Sequence, residues 1–372
     1  MEKGTETRAR RRGAAGKSRS MPRRRRRWLR RLAIGFIGLM VVTVALCGWA
    51  WASVDRSTIA RALWWRDADV GDQYRFPARR IPSGDVVSPL PSGQPFVPAA
   101  RDGEPFDAFL TRTGTLAFLV VHRDRLVYER YLNGAARGSL LTSLSVAKSV
   151  VSTLVGIAIQ EGSIESVVDP VTDYLPELAT RDRRFTRITI RHLLTMSSGI
   201  RYWEAALPWP WSDDTFTYYG VDLRRIALDR TRIQEPPGRT WHYNNYHLLL
   251  LGLVLERAIG MSVSEYMATR VWQPLGAATD ATWSLDSTRS GFEKMESGLN
   301  ATATDYARFG LLYLHGGTWN GHRIVSEDWG ASATARDVST DPAAFSISTS
   351  GGSIRGLRSP RSPGTRRSRT PR

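Results

Sequence analysis

The sequence predicts an α+β fold from three observations. Two β-rich runs, residues 115–121 and 126–132 in "TLAFLVVHRDRLVYERYL", flank a polar turn, which is a hairpin signal. A long helical block follows. In it "SVAKSVVSTLVGIAIQEG" is apolar on most faces and ends at Gly162, while "YNNYHLLLLGLVLERAIG" is closed by Gly260. Strands precede helices instead of alternating with them, and there is no internal repeat, so parallel βαβ units are not expected.

The chain opens on a basic tail, residues 1–31, ending in "RRRRRWLRR". Leu32–Val54 then runs 23 residues without a charge. At about 1.5 Å per residue this helix crosses a bilayer core. The Arg cluster should stay in the cytoplasm, which makes this a single-pass cell-membrane protein with its body outside. Trp49 and Trp51 suit an interfacial belt. The alternative is secretion after cleavage at Ala50-Trp51-Ala52, a small-x-small site. Cys47, the lone cysteine, permits no intrachain disulfide and reads as a small apolar membrane residue.

Residues 55–104 read as an extended linker wrapping onto the domain, because 67–105 hold seven prolines and little periodicity. The folded body is expected over 105–345. Within it "TIRHLLTMSSGI" is a short helix entering a turn, 202–219 an irregular aromatic loop, and "TATDYARFGLLYLHGG" an amphipathic helix. Residues 346–372 form a Ser/Arg/Pro tail. From Ser348 onward seven Arg, six Ser, four Gly and three Pro leave too little apolar surface to fold, so disorder is expected.

The formal charge of +17 invites a nucleic-acid reading until it is mapped. Residues 1–31 carry +12 and 348–372 carry +7, which leaves the body at −2. No nucleic-acid partner is expected. The six His show no ligand spacing, and CxxC and HExxH are absent, so neither a metal nor a cofactor is expected.

The chemistry is carried by two short patterns. The chain has only four lysines, Lys3, Lys17, Lys148 and Lys294, and writes Arg elsewhere. Lys148 nevertheless opens an apolar helix, three residues after Ser145, and the two side chains share a helix face. Burial and the positive end of a helix both disfavour an ammonium ion. A lysine so placed can accept the proton of an attacking serine, which arginine cannot. The bland alternative is a surface lysine beside a capping serine, but an apolar helix is a poor place for a solvated lysine. The second pattern is Tyr243-Asn244-Asn245, just before a helix. Tyr243 can relay protons to a leaving group, and Asn245 can hydrogen-bond a substrate amide and Lys148. A structural Tyr and a helix-capping Asn are the alternative there.

Together "SVAK", "LLTMSSGI" and "PPGRTWHYNNYHLLLLGLVLE" resemble the serine β-lactamase and penicillin-binding superfamily. The resemblance is closest to class C β-lactamases, related esterases and 6-aminohexanoate-dimer hydrolases, and runs from about Pro105 to Asp328 with "GLNATATDYARFGLLYL". It implies an α/β domain with an antiparallel sheet flanked by helices, an all-helical domain and an acyl-enzyme mechanism on a small-molecule or peptide-like amide or ester. It implies Ser145 as nucleophile, Lys148 as proton acceptor, Tyr243 as acid/base and Asn245 as an orienting residue. Tyr202 and Trp203, with Trp209 and Trp211, form either a substrate wall or the packing of a long loop. Asp213 is a further residue expected to face the pocket. His242 and His247 read as structural.

One family motif is not found. A Lys- or His-[Ser/Thr]-Gly strand, which supplies one N–H of the oxyanion hole, has no match after Tyr243, and "STSGG" at 348–352 lacks the cation. The family pattern is therefore expected to stop near Ala344, with the C-terminal strands missing and the tail out of frame or terminated. Such a chain is expected to turn over weakly, since one oxyanion donor is worth roughly 10²–10³ in rate. The competing expectation is a non-catalytic or truncated penicillin-binding-like protein of the cell envelope.

Overall fold

The computed structural model describes residues 23–54, 56–99, 103–205 and 209–335. It divides into two units that meet between Ala52 and Ser53. The first holds one helix, α1 (Arg23–Ala52). Its apolar part, Arg27–Ala52, is long enough to cross a membrane, and Ile34, Phe36, Leu39 and Val44 all stand exposed along it. A helix apolar on every side needs an apolar solvent or a partner. A membrane anchor and a signal sequence both meet that need.

In the second unit the elements run α2 (Thr58–Trp65), β1 (Ala78–Ile81), α3 (Phe106–Arg112), β2 (Ala117–His122), β3 (Arg125–Tyr131), β4 (Leu141–Thr142) and α4 (Ala147–Gln160). Five short helices follow: α5 (Val171–Tyr174), α6 (Pro176–Arg181), α7 (Ile190–Leu194), α8 (Asp213–Tyr219) and α9 (Leu223–Arg230), then the longer α10 (Asn245–Ile259). The chain continues through α11 (Val263–Met267), β5 (Ala281–Ser284), β6 (Leu299–Ala301), α12 (Ala303–Leu314), β7 (Thr318–Trp319), β8 (His322–Arg323) and α13 (Glu327–Thr334). Antiparallel sheet and flanking helices are what the family resemblance implies.

Four strands form one sheet in the order β1-β5-β6-β4, all antiparallel. Its registers include Ala78↔Ser284, Thr282↔Asn300 and Leu141↔Ala301. The stretch 55–104, expected as a linker, thus supplies an edge strand and a helix. Its prolines fall between these pieces, and Ile81, fully buried, draws β1 onto the core.

The predicted hairpin forms as β2–β3, with Arg123 and Asp124 both at positive φ in a two-residue turn. Residues 91–96 run along the far edge of β3. Gly93 N donates to Leu126 O and Phe96 N to Val127 O. A side chain at position 93 would press on Arg125 and Val127, each 2.9 Å from the added carbon, so glycine permits this close approach. Among the described residues no strand pairs with the outer edge of β2.

The core is built on α4 and α10. Twelve of the 14 residues of α4 and ten of the 15 of α10 are buried, so these helices pack on nearly every face. Asn244 caps α10, its side chain accepting from Tyr246 N, and Gly260 ends the helix in the left-handed conformation. Thr302 caps α12 in the same way, accepting from Asp305 N.

Candidate active site

Ser145 lies in a single 3-10 turn, Leu144–Val146, which leads directly into α4. β4 ends two residues before this turn, and Ser143 N donates to Leu299 O, so the sheet fixes where the turn begins. Leu144 takes φ of +43°, a conformation that costs a non-glycine residue about 1–2 kcal/mol. That strain sits next to the serine, whose side chain is exposed.

Lys148 occupies the first turn of α4 and is only 1% exposed. Its Nζ lies 3.0 Å from Ser145 Oγ and donates to the Glu296 carbonyl at 2.8 Å. It also sits 5.0 Å from the centre of the Tyr243 ring. Tyr243 Oη donates to Ser145 Oγ at 2.8 Å. The serine oxygen is therefore flanked by an amine on one side and a phenol on the other. Such a site can take a proton from the serine and hand one to a departing group.

Asn245 is the first residue of α10, since the capping role belongs to Asn244. Its Nδ2 donates to Tyr202 Oη at 2.9 Å, and its Oδ1 is buried with no hydrogen-bond partner. No hydrogen bond joins Asn245 to Lys148; the tyrosine takes the amide instead. Tyr202 is buried and also meets Thr217 Oγ1 at 3.0 Å. Burial raises its phenol pKa. Asp213 is buried as well, accepting from Trp203 N and from Tyr246 Oη, each at 2.9 Å. These two residues hold the aromatic loop from beneath, while Trp203, Trp209 and Trp211 are exposed on it. A cavity of about 320 Å³ lies between Arg66, Glu204, Asp214, Tyr218 and Asn245.

Behind this loop His247 is fully enclosed. Its Nε2 lies 2.5 Å from Ser198 Oγ and its Nδ1 3.0 Å from Met196 Sδ. Burial pushes its pKa down to about 3. It ties the "MSSGI" turn to α10 and hydrogen-bonds neither of the serine's two partners. Among the described residues no group of three His, Cys, Asp or Glu is placed to hold a metal ion.

Two residues beside the site carried no weight in the sequence. The Glu296 carbonyl reaches Lys148 through the backbone, which no residue type can announce. Lys294 is buried two residues earlier, and its signal was the same scarcity of lysine that marked Lys148. "STSGG" at 348–352 lies outside the described residues.

The β-lactamase family model matches residues 106–350, beyond the end expected near Ala344. The chain is 32% identical over 250 residues to 6-aminohexanoate-dimer hydrolase of Paenarthrobacter ureafaciens, covering 62% of this chain and 61% of that protein. It is 32% identical over 198 residues to Esterase EstB of Burkholderia gladioli, covering 48% and 50%. It therefore spans between half and about three-fifths of the length of these relatives. A solved structure, a provisionally named 6-aminohexanoate-dimer hydrolase from Bacillus anthracis, superposes with a TM-score of 0.64 at 23% identity, covering 71% of this chain and 72% of that one. The last likeness is one of fold alone. With the family model matching well over half of its length, on a fold of the same kind, this chain belongs to the β-lactamase family of serine hydrolases.

Proposed function

We propose that this protein is a membrane-anchored serine hydrolase that opens amide or ester bonds through an acyl-enzyme on Ser145. The observation that carries the reading is the convergence of Lys148 Nζ and Tyr243 Oη on Ser145 Oγ. In the first step Oγ attacks the substrate carbonyl carbon and its proton passes to Lys148. The tetrahedral intermediate then collapses. The carbon–nitrogen or carbon–oxygen bond breaks, and Tyr243 protonates the leaving group. Water repeats the attack on the acyl-enzyme, giving up a proton to the same pair, and Ser145 is released with the free acid. Asn245 offers its unpartnered Oδ1 to a substrate N–H. Trp203 gives the substrate an apolar wall, which Tyr202 and Asp213 hold in place.

The names of two relatives, a 6-aminohexanoate-dimer hydrolase and an esterase, support including both bond types in this reading. A fluorophosphonate probe tests it on the full chain. The wild type is expected to label and Ser145→Ala to stay blank; equal labelling would sink the assignment. A second reading, a non-catalytic penicillin-binding-like envelope protein, is favoured by one observation. Among the described residues the β2–β3 hairpin joins no strand of the four-stranded sheet. That reading expects no labelling of either protein.

For organisation, the reading takes residues 1–31 as a cytoplasmic tail, 32–54 as the anchor and the body as extracytoplasmic. The Arg-rich flank of α1 supports it. Protease added to intact cells is expected to digest the body. Full protection would reverse the orientation, and a mature chain beginning at Ser53 would replace the anchor with a cleaved signal.

A further inference from the structure

Lys294 is a second buried lysine in a chain that has four, and the mechanism above does not use it. It opens the turn 294–298 that leads into β6. Its Nζ donates to Glu296 Oε1 at 2.9 Å and to the Tyr218 carbonyl. It also sits over the Phe76 and Tyr218 rings, 4.5 and 4.1 Å from their centres. Arg61 and Asp72 are the other charged groups that face it. Burial lowers its pKa, and the Glu296 carboxylate opposes that shift.

Glu296 is buried with it, and the same Oε1 accepts from Ser297 Oγ at 2.8 Å. Its Oε2 has no hydrogen-bond partner, so Oε1 alone holds the carboxylate. The backbone of the turn is tied separately. Lys294 O accepts from Trp283 Nε1 at 3.0 Å, from Ser297 N at 3.2 Å and from Gly298 N at 2.7 Å. Glu296 therefore stands at the tip of a turn held at both ends. Its own carbonyl is the one that accepts from Lys148 Nζ at 2.8 Å.

A buried ion pair is a poor way to gain stability, because apolar residues of similar volume often do as well or better. This pair does something apolar residues cannot. It fixes the side-chain direction of the residue whose main-chain oxygen holds the base.

We propose that the Lys294–Glu296 pair is a positioning element for Lys148: it aims the Glu296 carbonyl and so keeps Lys148 Nζ against Ser145 Oγ. The proposal rests on the reading of Ser145 and Lys148 given above. Neither side chain of the pair hydrogen-bonds Ser145, Lys148 or Tyr243; the pair acts through the Glu296 main chain.

The test compares rates of fluorophosphonate labelling of the full chain across a range of pH. The variants are Ser145→Ala, the apolar double variant Lys294→Met/Glu296→Leu, and the near-isosteric Glu296→Gln. The double variant is expected to melt close to the wild type yet label about 10- to 100-fold more slowly, the scale of a small misplacement of a catalytic group. The acid limb of its pH–rate profile is expected to move to lower pH, since an ammonium that loses an acceptor gives up its proton more readily. A purely structural pair would leave that limb in place. If the double variant does not fold, Glu296→Gln decides, with an expected slowing of about threefold or more from the loss of a charge-assisted bond. Wild-type labelling above Ser145→Ala, with variants at the wild-type rate and profile, would overturn the proposal alone. Equal labelling of wild type and Ser145→Ala would overturn the hydrolase reading and the proposal with it.

Discussion

Lys148→Arg is expected to abolish labelling of Ser145 although it keeps the positive charge. The role proposed for this side chain is to receive a proton. A guanidinium cannot give one up in a protein and so has no lone pair to offer. Space argues the same way. Nζ sits among Ser145 Oγ, the Glu296 carbonyl and the Tyr243 ring, in a setting sized for one ammonium group. Loss of a positioned general base costs about 10²–10⁴ in rate. The measurement is the pseudo-first-order rate of fluorophosphonate labelling, with Ser145→Ala as the blank and a melting curve to show that the fold survives. An Arg variant that labels at the wild-type rate would remove Lys148 from the mechanism.

Mild acid is expected to destabilise the body through His247. In the fold this imidazole is neutral, and burial holds its pKa near about 3 against an ordinary value of 6.5. The unfolded chain takes up a proton below pH 6.5, and the folded chain does not. Unfolding therefore binds a proton throughout that window, and stability falls as pH drops from about 6.5 toward about 3. Each unit of difference is worth about 1.4 kcal/mol, so the full effect is on the order of several kcal/mol. His192, also depressed by burial, pulls in the same direction. Asp286 and Glu256, both raised by burial, oppose it, because their protonated forms are the easier ones to bury. Denaturant unfolding at several pH values checks the balance. His247→Gln is expected to flatten the dependence between pH 6.5 and 4; an unchanged slope would place the acid sensitivity elsewhere. Fluorophosphonate labelling of Ser145 is expected to fall over that range only as far as the body unfolds, since the folded imidazole stays neutral. His247 fastens the "MSSGI" turn to α10, and the Met196 carbonyl of that turn accepts from His242 N, next to Tyr243.

The parts legible in the sequence are those that short-range physics decides. The β2–β3 hairpin follows from two β-rich runs around a polar turn. The helices α4, α10 and α12 follow from apolar spacing between a cap and a stop. Ser145 and Lys148 share a helix face because three residues separate them, and the scarcity of lysine singled out position 148. The family could be read there too, since its motifs are local strings. Tertiary structure alone decided the rest, because each feature depends on what lies across a gap of many residues. It carried Tyr243 to an oxygen 98 residues away. It made a strand, β1, of part of the expected linker and paired it with β5, where Ile81 gains burial that no local pattern reveals. It gave the cap of α10 to Asn244 and left Asn245 to Tyr202, a choice made by which side chain meets which partner. It turned Tyr202 and Asp213 inward beneath the aromatic loop. And it set a main-chain oxygen of Glu296 on Lys148, with Lys294 behind it, by a backbone path that side-chain identity does not encode.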